Sequence, residues 1–378
     1  MSSPVKIEVV SRLSDVPSAD WNNGVDPNDP FTEHAFLSLL EEAGCVGRQS
    51  GWMPMHLLVR KDGVAVGRAP LYLKNNSYGE YIFDWGWADA AHRAGIPYYP
   101  KLVSAVPFTP ATGRRLLTDS PETRRLLLEA MLEVMNSTNA HSLHLLFTQQ
   151  GEREALAPHP AMIGRSSHQF HWENDGYKNF EDWLSSLRSK YRKMARRERR
   201  APKDTGTTVH MWRGEDFSPM RWRAMHALYL DTIRRKHAHP YMTPAFFELA
   251  PEKLAHSAVV FAATEGEEVV AASLCFQRGA HLYGRYWGCR PGYKALHFEL
   301  CYHAPIEACI THGWSHFEAG AQGMHKLKRG LMPAKTHSLH HLRHPGLQNA
   351  VAEAVFQEND RADWEIEQLT ISGPFRAC

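Results

Sequence analysis

The sequence predicts an α+β protein of two tandem halves, each a mixed, mostly antiparallel sheet flanked by helices. Three observations carry this. Apolar and polar residues alternate with period 2 in short runs separated by charged, Gly-bearing turns, the pattern of antiparallel strands. Longer stretches with apolar residues at helical spacing follow those runs. The same order of elements then recurs later in the chain, the mark of an internal repeat.

The first meander is HLLVRKDGVAVGRAPLYLKNNSYGEYIFDWGW, residues 56–87. It reads as an apolar strand, a turn at Lys61-Asp62-Gly63, an alternating strand, a polar turn, and an aromatic strand ending at Asp84-Trp85-Gly86. Its counterpart is VVFAATEGEEVVAASLCFQRGAHLYGRYWG, residues 259–288, turning at Glu265-Gly266-Glu267 and ending at Tyr286-Trp287-Gly288. Each meander leads through a Pro/Gly segment, TPATGRR or RPGYKA, into a helix, expected over 122–136 and 296–311. A strand closes each half, from Ser142 and from Ser315, and both run to Gln-Gly. The expected domains are residues 1–175 and 204–378, with 176–203 as a bridge.

That bridge contains LRSKYRKMARRERRAPK, residues 187–203, with nine Lys or Arg and one Glu. The chain as a whole has a formal net charge of only +2, so the rest is acidic on balance. Charge concentrated in one place favours a local anionic ligand over a nucleic-acid coat, and no DNA partner is expected. Leu184, Leu187, Tyr191, Met194 and Ala195 recur at helical spacing, predicting an amphipathic helix that Pro202 ends. A charge run is ordinarily a solvated face. Such faces interleave signs at i,i+4, however, and here only Glu198 does so. Lys190, Arg192, Lys193, Arg196 and Arg197 are therefore the phosphate-binding candidates.

A length of 378 residues suggests two domains at about 100–200 residues each. No apolar run approaches the ~20 residues that span a bilayer. The start, MSSPVKIEVVSRLSD, lacks the apolar core of a secretory signal, so a cytoplasmic protein without a membrane span is expected. The six cysteines form no CxxC pair and read as reduced, buried thiols. His337, His340, His341 and His344 fall at i, i+3, i+4 and i+7, a spacing that would gather ligands on a helix face. Pro345 follows at once and the chain holds 23 His, so no metal is expected.

The order of meander, loop, helix and strand resembles the GNAT acyltransferase fold, whose loop presents backbone N–H groups to a pyrophosphate. Neither half carries the full glycine-rich loop: Gly113 is followed by Arg114 and Arg115, and Gly292 by Tyr293 and Lys294. In closer detail the chain resembles the Fem-like branch of the GNAT superfamily, the peptidoglycan biosynthesis or recognition proteins. The stretches that carry this are GWMPMHLLVR, YIFDWGWADA, YYPKLVSAVPFTPATGRRLL, SLRSKYRKMARRER, HLYGRYWG, LHFELCYH and FEAGAQGMHKLKRGLMP, in order over most of the chain. The resemblance implies two fused GNAT domains with a cleft between them, forming an amide bond by moving an acyl group to an amine. Well-studied relatives move that group from an aminoacyl-tRNA to a peptidoglycan precursor. The expected donor is therefore aminoacyl-tRNA, with tRNA as a partner, an amine of the peptide or cell-wall-precursor kind as acceptor, and no tightly bound cofactor; the resemblance itself does not choose the substrate. Acyl-CoA is the alternative co-substrate, and a non-catalytic binding module is the reading from another class. The chain sustains no long heptad run, so the coiled-coil arm of better-known Fem enzymes is not expected.

Acyl transfer to an amine needs a proton acceptor, a stabilised oxyanion and a protonated leaving atom. The densest polar cluster is HFEAGAQGMHKLKRG, residues 316–330. Glu318 at a strand end is the candidate proton acceptor. Gly320 and Gly323 let backbone approach a ligand, Gln322 donates and accepts, and Lys326, Lys328 and Arg329 supply positive charge. The resemblance implies a functional lysine in this Lys–x–x–Arg–Gly segment, and Lys326 is preferred over Lys328. The plain alternative is a polar turn shaped by its glycines. On HLYGRYWG, strict alternation puts Tyr283, Arg285 and Trp287 on one face. They join Gln322, Gly323 and Arg329 as candidates for binding substrate. His297 and Glu299 lie near the start of the next helix, suited either to the site or to a capping or core role.

Overall fold

A computed structural model of the chain describes residues 5–321 and 323–376. It divides into two compact units: one runs to His168 and takes back Lys335–Glu365, the other holds Gln169–Ala334 and the segment from Ile366. The repeat pattern instead predicts that everything from 204 onward belongs to one half. The difference arises at Met332–Leu342, which forms a strand of the first unit's sheet.

In the first unit, β1 (Val5–Val10), β3 (His56–Lys61) and β4 (Val64–Ala69) make an antiparallel sheet in the order β1-β3-β4. A second sheet holds β2 (Trp52–Pro54), β5 (Tyr72–Lys74), β6 (Lys101–Ser104), β7 (Ser142–Thr148), β14 (Met332–Leu342) and β8 (Ile163–Glu173), in that order. β6 and β7 are parallel, joined by the helix Pro121–Ser137. That helix starts as its sequence dictates: Ser120 Oγ accepts from the Thr123 amide, and Pro121 occupies the first turn. Its apolar face, including Leu127, Met131 and Val134, packs with Leu57, Leu102 and Leu145 in the core.

Two expectations fail in this unit. Asp84-Trp85-Gly86 does not end a strand; Asp84 stands before the helix Trp85–Arg93. The residues 337–341 lie on β14, not on a helix, because the segment pairs with β7 in a buried antiparallel ladder. His340 shares a face with Ser338, and its Nε2 lies 2.8 Å from that Oγ. His144 repeats the arrangement with Ser142 at 2.8 Å, and the two imidazoles meet at 2.7 Å. These histidines satisfy one another inside the sheet. The unit also buries Lys101, whose Nζ donates to Ser77 Oγ and Glu80 Oε2 at 2.8 Å and to Asp84 Oδ2 at 2.5 Å. Lys74 lies 3.6 Å over the Trp52 ring and donates to the Tyr78 carbonyl.

In the second unit the sheet order is β8-β13-β12-β11-β10-β9, with β9 (Thr208–Arg213), β10 (Ala258–Glu265), β11 (Glu268–Arg278), β12 (His281–Cys289) and β13 (His316–Glu318). β12 and β13 are parallel and the other pairs antiparallel. The meander expected over 259–288 is thus present. Between β12 and β13 the chain forms a π-helical turn, Glu299–His303, and the helix Ala304–His312. One sheet face buries Trp172, Cys275, Leu282 and Phe317 against Trp183, Leu300 and Ile306.

The basic segment belongs to this unit and does not bridge two bodies. It is also not one helix. Phe180–Ser186, Ser189–Glu198 and Ala201–Asp204 are three short helices, broken at Leu187–Arg188 and Arg199–Arg200. Pro202 sits in the first turn of the last one, where its missing N–H costs nothing.

Candidate functional site

In the second unit, strand register assembles a polar face opposite the core. His316 pairs with Glu173 and Glu318 with His171 across β8, while His281 pairs with His316 and Tyr283 with Glu318 across β12. Paired residues point the same way, so six side chains share one side, with Phe317, Trp172 and Leu282 on the other.

Glu318 is buried, 4% exposed. His316 Nε2 lies 3.3 Å from its Oε1, and His171 Nε2 lies 3.9 Å from its Oε2. His316 Nδ1 meets Glu173 Oε1 at 2.5 Å. Burial opposes charge on His316, but hydrogen bonds to the two carboxylates outweigh it and raise its pKa to about 9. Burial takes His171 the other way, down to about 4, against the pull of Glu318. A neutral and a protonated imidazole thus flank one carboxylate at pH 7.

After Glu318 the chain turns through Gly320, at φ 81°, and Gly323, at φ 119°, backbone conformations that L side chains rarely adopt. The turn Met324–Arg329 follows. It carries Lys326 inward, 2% exposed, with Nζ donating to the Gly320 carbonyl at 2.6 Å. Burial lowers the Lys326 pKa to about 8, with Glu318 opposing the fall. Glu318 thus favours the charged form of Lys326. Lys328 is exposed. Gln322 lies outside the described residues.

Arg329 is not free to meet a ligand. Its Nε and Nη2 fork onto Glu198 at 3.0 and 2.5 Å, its Nη1 donates to the His325 carbonyl, and its guanidinium lies 3.4 Å over Phe298. His303 Nε2 meets the same carboxylate at 2.8 Å. Despite burial, these partners hold the Glu198 carboxyl below its usual range. The expected face of Tyr283, Arg285 and Trp287 is also broken. Gly284 pairs with Cys275 and Tyr286 with Leu274, leaving Arg285 as the extra residue of a bulge. Beyond it the alternation flips. Tyr283 stays beside Glu318, while Trp287 turns to the opposite face and meets His297, ring centroids 5.1 Å apart. Glu299 is buried near Arg199, and burial lifts its pKa to about 7.

Of the basic residues, Lys190, Lys193, Arg196 and Arg197 line an open hollow together with Met194 and Arg200. Arg196 pairs with Glu181 at 2.7 Å, and Lys190 lies over Tyr191. The side chains of Lys193, Arg197 and Arg200 make no ion pair or hydrogen bond among the described residues. Arg192 turns back, donating to the Leu187 carbonyl at 3.1 Å.

A profile of the FemAB-like family, described as peptidoglycan biosynthesis/recognition, matches residues 12–377. The chain belongs to the FemAB-like family. Its solved neighbours agree in fold. FemX is 12% identical, with 92% of this chain and 100% of that one covered and a TM-score of 0.55. L-PGS from Bacillus licheniformis is 10% identical, with 89% and 98% covered and a TM-score of 0.52. A conserved protein of unknown function from Bacteroides thetaiotaomicron is 10% identical, with 89% and 100% covered and a TM-score of 0.55. No curated protein matches the sequence. The chain thus shares the α+β fold of these neighbours, in two compact units. Among the described residues no helix is long and apolar enough to cross a membrane.

Proposed function

We propose that this FemAB-like protein forms an amide bond by moving the aminoacyl group of an aminoacyl-tRNA to an amine acceptor of the peptide or cell-wall-precursor kind. The observation that carries this reading is the buried Lys326 ammonium, its pKa brought down to about 8 by burial against the pull of the Glu318 carboxylate. The acceptor nitrogen attacks the ester carbonyl, so an N–C bond forms and the C–O bond to the ribose breaks. Glu318 takes the proton the amine loses. Lys326 faces the developing oxyanion and returns a proton to the departing ribose oxygen, charge stabilisation where water is excluded. Tyr283 stands next to Glu318 in register and shapes the acceptor side. The cationic hollow of Lys190, Lys193 and Arg197 supplies phosphate contacts for the donor.

The experiment is a transfer assay with charged tRNA and a panel of amine acceptors, with and without RNase. Loss of product after RNase supports the reading. Product that survives RNase and depends on acyl-CoA would replace the donor, and absence of turnover with either donor would make the protein a binding module.

A further inference from the structure

We propose that His171, His316 and Glu318 form a binding site for one divalent transition-metal ion of the zinc class. His316 and Glu318 stand two residues apart on β13 and so share a face, and His171 is the direct partner of Glu318 on β8. Two adjacent strands hold the three side chains in place without any loop. One nitrogen or oxygen from each lies within 4.8 Å of the others. A tetrahedral zinc ion with ligands at about 2.0–2.2 Å spaces them about 3.3–3.5 Å apart. The His316–Glu318 separation of 3.3 Å is already there, and the His171–Glu318 separation of 3.9 Å is close.

The surroundings also fit. Glu173 holds His316 Nδ1, which aims Nε2 at Glu318, the carboxylate–histidine arrangement that orients metal-bound imidazoles. Two imidazoles and one carboxylate suit zinc and its first-row neighbours over calcium or magnesium, and leave at least one coordination position for water. Without the ion, His316 faces Glu173 through Nδ1 and Glu318 through Nε2. A metal would lie between that Nε2 and the Glu318 carboxylate.

Glu318 cannot ligate an ion and accept an amine proton together. Zinc is therefore expected to inhibit transfer, and this clause rests on the proposed function. The binding test does not. The full chain, stripped with chelator, is titrated with Co²⁺ while visible d–d absorption is followed, and Zn²⁺ is then added in competition. One equivalent of Co²⁺ displaced by stoichiometric Zn²⁺ is expected. His316→Gln and Glu318→Gln should each weaken binding about 100-fold or more, and Glu173→Gln about 10–100-fold. His92→Gln, on an exposed helix face of the other unit, should change nothing. Variant folding is checked by circular dichroism without metal. Wild-type protein that takes up no stoichiometric Co²⁺ overturns the site whatever the variants do, as does binding that survives in folded His316→Gln. Binding that leaves transfer uninhibited supports the site and overturns Glu318 as proton acceptor.

Discussion

Lys326 shows how much one residue's chemistry depends on its surroundings. A lysine in water keeps its proton past pH 10, but burial brings this one to about 8. If its ammonium stabilises the oxyanion, kcat/KM must fall as pH rises through that value, because the neutral amine forms above it. Lys326→Arg should carry the plateau to higher pH, since a guanidinium stays charged. Lys326→Ala should cost about 100–1,000-fold in rate, the scale of losing one oxyanion donor. An alanine variant with wild-type kcat/KM and an unchanged alkaline limb would remove Lys326 from the mechanism. Glu198 makes the complementary point. In the sequence it is one acid in a basic run, with nothing local to mark it. Its partners His303 and Arg329 stand 105 and 131 residues away. Arg329 was legible as a cation but not as a neutralised one, because its partner is fixed by tertiary packing.

Among the elements, the strands were the most legible. Period-2 alternation and Gly turns located β10 to β12, and the apolar face of 122–136 located a helix that the structure extends by one residue at each end. Alternation failed where a single inserted residue, Arg285, shifted its phase. The histidines of β14 misled through spacing, since i, i+3 and i+4 fit a helix while burial between neighbouring strands fixes the extended form. The basic stretch was legible in charge but not in continuity. Arg196 and Arg199 are paired with acids and Arg192 with a carbonyl, while Lys193 and Arg197 have no acidic partner among the described residues. Replacing Lys190, Lys193 and Arg197 with Ala should weaken tRNA binding and lower the salt slope by about one for each phosphate no longer neutralised. Arg196→Ala should change stability by less than about 1 kcal/mol, because its pair with Glu181 is exposed. Unchanged affinity and slope in the triple variant would make the hollow a solvated face.

For the whole molecule, chain order and unit membership do not coincide. β14 comes late in the chain yet lies between β7 and β8 of the first unit. A fragment ending at residue 334 lacks most of that strand and the His340 partner of His144. It leaves the inner edges of β7 and β8 unpaired. Such a fragment should lose near-UV circular dichroism from the first unit and unfold in urea without a sharp transition, and adding 335–378 as a separate peptide should restore both. Cooperative unfolding of the fragment alone would show that β14 is dispensable. Nothing local in the sequence announces this return, since strand pairing over such separations is a property of the folded chain. The same feature has a consequence in time. A ribosome extends a chain at about 5–20 residues per second, so on the order of ten seconds or more separate the emergence of β8 from that of β14. Through that interval the unit begun first waits with an open slot in its sheet, while every strand wholly within the second unit has already been made. The half of the protein that starts first is the half whose sheet receives its last strand latest, and the exposed edges of β7 and β8 are the place where a chaperone would be needed.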